Sequence, residues 1–114
     1  MHKPLLALFT AALISLSANA QFEGPSDQVL ISVKQIEQLS DDTDVVLEGR
    51  LVKKLKNENY LFEDQSGSIT VEIDDEDFKG MKVTPDNVVR IEGEVETSLT
   101  KPTTVEVDRI TVIK

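Results

Sequence analysis

The chain has 114 residues, a formal net charge of −9 from 12 Lys+Arg against 21 Asp+Glu, a single His and no Cys. That length makes one domain with one modest core, and the surplus of carboxylates repels phosphate backbones and anionic lipid surfaces, which excludes nucleic acid as a partner. The one His is His2, in a segment expected to be removed; this excludes zinc, copper and iron sites and the Ser-His and Cys-His nucleophile systems, and leaves oxygen ligation of Ca²⁺ or Mg²⁺ as the open metal chemistry.

Met1-His2-Lys3 is a short positive region, and Leu5 to Leu16 is an apolar run too short to span a bilayer as a helix. Ser17-Ala18-Asn19-Ala20 ends in the A-x-A pattern of a signal-peptidase site. Residues 1–20 are therefore expected to be a signal peptide cleaved after Ala20, so that the mature protein is exported. No Cys follows the apolar run, which excludes lipoprotein processing, and no second run is long enough to span a membrane. Gln21 to Gln28 carries Gly24, Pro25 and Ser26 and no periodicity, so residues 21–31 are read as a flexible lead-in.

The folded domain is expected over 32–114. Ser32 and Gln35 make a capping-box pattern, and Val33, Ile36 and Leu39 recur at helical spacing. They predict a short helix from about Val33 to Leu39 that plugs one end of a barrel. Strand 1 begins near Asp44, with Val45, Leu47, Gly49 and Leu51 on one face; mid-strand Gly49 is a bend or bulge candidate. The polar stretch Lys53 to Asn59 turns into strand 2, where Tyr60, Phe62 and Asp64 alternate with Leu61 and Glu63. Ser66-Gly67 reads as a hairpin turn with Gly67 at positive φ. In strand 3, Ile69, Val71 and Ile73 point inward and Thr70, Glu72 and Asp74 outward.

The connection from Asp75 to Asn87 is expected to fold onto the barrel through Phe78 and to end in a turn at Thr84-Pro85-Asp86-Asn87. Strand 4 puts Val89, Ile91, Gly93 and Val95 on one face. Strand 5 carries Val105 and Val107, then Ile110 and Val112, and this break of parity at Asp108-Arg109 predicts a bulge. The pattern is mainly β and predicts a small closed barrel of five strands with a short N-terminal helix.

An ordered set of short motifs now carries a resemblance: Gly24-Pro25, Asp41-Asp42-Thr43, Leu47-Glu48-Gly49, Tyr60-Leu61-Phe62 with Asp64, Gly67, Val71-Glu72-Ile73, Gly80, Thr84-Pro85 and Ile91-Glu92-Gly93-Glu94-Val95. Together they resemble the bacterial OB-fold (BOF) family of YgiW/YdeI-type periplasmic stress-tolerance proteins, over essentially the whole mature chain. The resemblance implies a five-stranded OB-fold barrel with a short helix, export to the periplasm, and a part in tolerance of oxidative, acid, metal or antimicrobial-peptide stress. It implies neither a catalytic motif nor nucleic-acid-binding features. One departure is Glu96 after Val95, where family members often carry Asp.

OB barrels bind ligands on the face of strands 2 and 3, beside the first and last strand connections. The candidate ligand-binding residues there are Arg50, Lys53, Glu63, Thr70 and Glu72. Tyr60 and Phe62 are read as core rather than as a base-stacking platform. Lys53, Lys54 and Lys56 form a basic patch that either balances charge on an exposed hairpin or meets an anionic partner such as a lipid head group or glycan. The run Asp74-Asp75-Glu76-Asp77 could hold a divalent cation through oxygen ligands but lacks EF-hand spacing, so it is read as a solvated loop first, with cation binding as the open alternative. No catalytic residue and no cofactor is expected. The expected function is a non-catalytic periplasmic OB-fold binding protein, active in envelope stress tolerance, that takes a small or cationic ligand. The alternative is an interaction protein that binds and modulates another envelope protein.

Overall fold

The computed structural model describes residues 29–114. The expected signal peptide and the lead-in up to Gln28 lie outside the described residues. A short helix α1 (Val33–Ile36) precedes β1 (Asp44–Lys54), β2 (Asn59–Asp64), β3 (Gly67–Glu72), a 3₁₀ turn at Asp75–Phe78, β4 (Val89–Glu96) and β5 (Thr104–Val112). The strands close into a barrel in the order β1-β2-β3-β5-β4. All pairs are antiparallel except β3 with β5, which run parallel over Val71↔Val105 and Glu72↔Glu106. This is the five-stranded OB-fold barrel that the sequence predicts.

Alternation builds the core. Leu47, Phe62, Val71, Ile73, Val89, Ile91 and Val105 are fully buried, and a strand points such residues to the interior at every second position. Ile36 of α1 is also fully buried and closes one end. The helix is one turn long and stops before Leu39, because the chain reverses there. Leu39 N–H donates to the Ile36 carbonyl at 3.0 Å and Thr43 Oγ1 to the Ser40 carbonyl at 2.6 Å. Asp42 then adopts a left-handed φ of 66° and turns the chain into β1. Val46, on the outer face of β1, is buried as well, since Leu30 pairs beside it and Ile31 N–H donates to the Val46 carbonyl at 3.0 Å.

Two glycines take other roles than the sequence predicts. Gly49 is not a bulge: it pairs in register with Val89, and the register shift between β1 and β2 falls between Leu51 and Lys53. Gly49 is small because a Cβ there would overlap the Glu63 carbonyl oxygen and lie 2.9 Å from Phe62 Cζ. Gly67 is not at positive φ. Its hairpin is held by Asp64 Oδ1, which accepts from Ser66 N–H at 2.7 Å, Ser66 Oγ at 2.6 Å and Gly67 N–H at 3.2 Å, so a side chain supplies the turn geometry. The expected bulge in β5 is present. Glu92 pairs with Arg109 and Gly93 with Val107, leaving Asp108 as the extra residue. Phe78 anchors its connection as expected, meeting Tyr60 edge-on at 5.6 Å between ring centroids.

Candidate functional site

The register of the closed barrel sets carboxylates side by side on its outer surface. Asp44 pairs with Glu94, Glu94 with Glu106, and Glu106 with Glu72. Their chain neighbours Val45, Val95, Val105 and Val71 are buried, so the four acidic side chains point away from the core and form a belt across four strands. Directly opposed like charges on a sheet repel. Neighbouring carboxylates, inside the belt and beside it, contribute to the titration of two members. Asp108 first, then burial, Asp44 and Asp42, hold the Glu94 carboxyl above the ordinary range. Burial first, then Glu96, Glu72, Asp108 and Glu94, raise Glu106. Among the described residues the one ion pair is Arg90–Glu48 at 2.7 Å, outside this belt.

The belt runs into a cleft of about 730 Å³ between the β1–β2 and β4–β5 connections, lined among others by Lys56, Asn59, Thr70, Glu72, Glu96 and Lys101. This is where OB barrels place ligands. Beside it, Glu58, Glu72 and Asp74 bring carboxylate oxygens within 4.8 Å of one another. The backbone fixes this group: Ile73 N–H donates to the Glu58 carbonyl at 2.9 Å, and Asp75 N–H donates to Glu58 Oε2 at 3.0 Å. Three converging carboxylates form a donor set that suits a hard cation such as Ca²⁺. Of the acidic run, Asp74 alone joins the trio; Asp75, Glu76 and Asp77 belong to the 3₁₀ turn.

The five candidate residues of the sequence fall into three places. Thr70 and Glu72 line the cleft between the connections. Arg50 and Glu63 are cross-strand partners on β1 and β2 and line a separate groove next to Leu30. Arg50 Nη1 donates to the Asp86 carbonyl at 2.9 Å, while Glu63 Oε2 accepts from Ser68 Oγ at 3.3 Å. Lys53 stands at a third cleft with Lys54, Tyr60 and Phe78. Sequence reasoning missed Asp44, Glu58, Glu94 and Glu106. Strand alternation does put Glu94 and Glu106 outside, but only the register makes them neighbours of Glu72. Phe62 is fully buried and Tyr60 half-buried against Phe78, so the aromatic residues of β2 present no stacking platform.

The family model described as bacterial OB fold (BOF) protein matches residues 9–112. The chain is 38% identical over 117 residues to the calcium-regulated OB-fold protein CarO of Pseudomonas aeruginosa, an alignment covering 99% of this chain and 97% of that protein. The solved structure of the E. coli protein YgiW superposes with a TM-score of 0.73 at 35% identity, covering 81% of this chain and 97% of that one. Replication protein A of U. maydis bound to single-stranded DNA shares the fold alone, with a TM-score of 0.54 at 17% identity over 82% of this chain and 77% of that one.

Proposed function

Because the chain belongs to the bacterial OB fold (BOF) family, we propose that it is a non-catalytic periplasmic binding protein that takes a cationic ligand on its acidic belt and so contributes to envelope stress tolerance. The observation that carries this reading is the run of Asp44, Glu94, Glu106 and Glu72 on consecutive rungs. A bound cation removes the mutual repulsion of these groups, so binding energy comes from strain already present in the free protein. The cleft beside Glu72 and the trio Glu58, Glu72 and Asp74 give such a cation oxygen ligands. The relative CarO is named for regulation by calcium, which makes Ca²⁺ the first cation to test and a polyamine the second.

Absence of catalysis is supported by composition and burial. His2 is the one His and there is no Cys, and no polar or charged residue among the described ones is buried in the core. A desolvated acid–base pair of the kind catalysis uses has no counterpart among them. Export rests on the N-terminal charge, apolar run and A-x-A site, and the periplasm as its destination on the resemblance to the family.

Isothermal titration with CaCl₂ and with spermine, at low and at moderate salt, tests the cation reading. Saturable binding that weakens with salt and is reduced in Glu72→Gln/Glu106→Gln supports it. Heats that never saturate with either titrant refute it.

A second reading, an interaction protein for another envelope protein, is favoured by one observation. β3 pairs with β5 only at Val71 and Glu72, so its outer edge at Ser68–Thr70 has no strand beside it and opens on a cleft of about 520 Å³. An incoming strand can pair with such an edge. A stoichiometric protein captured from envelope extract, and lost when Ile69 is changed to Pro, would favour this reading over the first.

A further inference from the structure

Among the described residues one cleft differs in charge from three larger ones. It measures about 300 Å³ and lies between the end of β1, the start of β2 and the segment after the 3₁₀ turn. Tyr60, Phe78, Met81 and Val83 supply an apolar surface, and Lys53 and Lys54 stand at its rim. Among the described residues no Asp or Glu lines it. Three larger clefts each include a carboxylate: Glu63 in one, Glu72 in the next, Glu37 in the third. In a chain of net charge −9, a carboxylate-free cleft with two ammonium groups is a local reversal of sign.

The backbone explains how both lysines reach it. The register shift between Leu51 and Lys53 inserts an extra residue into β1, and such a bulge re-aims the side chains that follow. Lys53 and Lys54 are consecutive, and both are exposed. Lys54 Nζ lies 5.7 Å from the centre of the Tyr60 ring. Neither lysine has an ion-pair partner among the described residues. Tyr60 is itself fixed by its edge-on contact with Phe78.

We propose that this cleft binds a monomeric anionic amphiphile, a single-chain carboxylate of the fatty-acid type. A small inorganic anion would meet lysines but find an aromatic and aliphatic surface that offers it nothing. An uncharged amphiphile would leave both ammonium groups unused. An intact anionic bilayer is disfavoured, because the surplus negative charge of the whole protein opposes approach to it. A free molecule with one negative head and one apolar body satisfies both halves of the cleft. The volume sits at the small end of ligand pockets, ~300–1,000 Å³, which favours a chain of medium length. This site carries charge opposite to the acidic belt and is independent of the cation reading.

Tyr60 is the chain's one tyrosine and there is no Trp, so intrinsic tyrosine fluorescence reports on this cleft directly. Sodium decanoate titrated below its micelle-forming concentration should give a saturable change. Decyltrimethylammonium should give none. Lys53→Gln/Lys54→Gln should weaken decanoate binding by about five- to tenfold, the size of two partly exposed charge contacts. Met81→Glu, at an exposed position, should abolish it by placing a carboxylate in the cleft, with circular dichroism confirming the fold. No saturable change with decanoate, an equal response to the cationic amphiphile, or full affinity in the double lysine variant would each overturn the proposal.

Discussion

The Asp64 carboxylate accepts the backbone N–H of Val33 at 2.9 Å, a bond between the end of β2 and the first residue of α1. A helix start leaves its first N–H groups without intrahelical partners. Here the β2–β3 hairpin supplies them, because Ser66 Oγ also accepts from Lys34 N–H at 3.0 Å. The other oxygen of Asp64 holds the hairpin turn through Ser66 and Gly67. One side chain therefore ties the plug of the barrel to its wall.

Replacing Asp64 with Ala should cost about 2–3 kcal/mol, since charged acceptors are lost and several N–H groups are left to water or to nothing. Asp64→Asn keeps one acceptor oxygen and should cost less. Urea unfolding monitored by circular dichroism measures both. An unchanged midpoint in Asp64→Ala would show that α1 docks through Ile36 alone.

Gly93 and Gly80 should respond to alanine for different reasons. A Cβ on Gly93 would overlap the Glu106 carbonyl oxygen and lie 2.9 Å from Val107 Cα, next to the bulged Asp108. Backbone cannot move aside as a flexible side chain can. Gly93→Ala should destabilise by roughly 1–3 kcal/mol, as overpacking does. Gly80 has φ of 77° but nothing within 4 Å of its would-be Cβ. Gly80→Ala should cost about 1 kcal/mol from backbone conformation alone. Chemical denaturation of the two variants side by side tests this, and a larger cost at Gly80 than at Gly93 would contradict it.

The legibility of this fold follows from the range of the interactions. Ile69, Val71 and Ile73 announce their face through local alternation, and Val107 followed by Ile110 announces the β5 bulge, since parity is a property of adjacent residues. Gly67 misled because glycine is a common turn residue, whereas this turn is set by Asp64 three positions earlier. The bulge at Val52 left no mark, since Leu51, Val52 and Lys53 are compatible with an unbroken strand. The acidic belt was out of reach for a similar reason. Glu72 meets Glu106 only because β3 and β5 run parallel where the barrel closes, and nothing local in either strand encodes that pairing. The separation of Lys53 from Thr70 and Glu72 has the same origin: alternation assigns a face but not a place on it.

Stability should pass through a maximum on the acid side of neutrality. Glu94 and Glu106 have folded-state pKa values raised by neighbouring carboxylates and by burial. A raised carboxyl contributes stability that is present below its unfolded value and lost as pH rises through the folded one. Acidification toward their ordinary value of 4.5 should therefore raise the melting temperature. Asp64 runs the other way. Burial pushes its carboxyl up, but the Ser66 hydroxyl and the N–H groups of Val33, Ser66 and Gly67 outweigh that and leave it below its usual 3.8. Its contribution holds above that value and is lost as pH falls through the lower folded one. As pH is lowered from neutral to below 3.8 the melting temperature should rise and then fall, and a steady decline from neutral pH would contradict the role given to the belt.

Neutralising one belt member should stabilise the free protein while weakening its hold on cations. Glu106 lies between Glu94 on β4 and Glu72 on β3, so Glu106→Gln removes repulsion on both sides. The expected gain is about 1–8 °C in melting temperature at low salt, from like-charge pairs of a few tenths to one kcal/mol in a domain of this size. Glu92 is the contrasting position, because it stands opposite Arg109 rather than another carboxylate; Glu92→Gln should leave the melting temperature unchanged or lower it. At about 1 M salt the screening length shrinks to ~3 Å, and the advantage of Glu106→Gln should largely disappear. Differential scanning calorimetry at the two salt concentrations measures this. A melting temperature lowered by Glu106→Gln at low salt would mean that Glu106 makes a favourable contact which the like-charge belt does not contain.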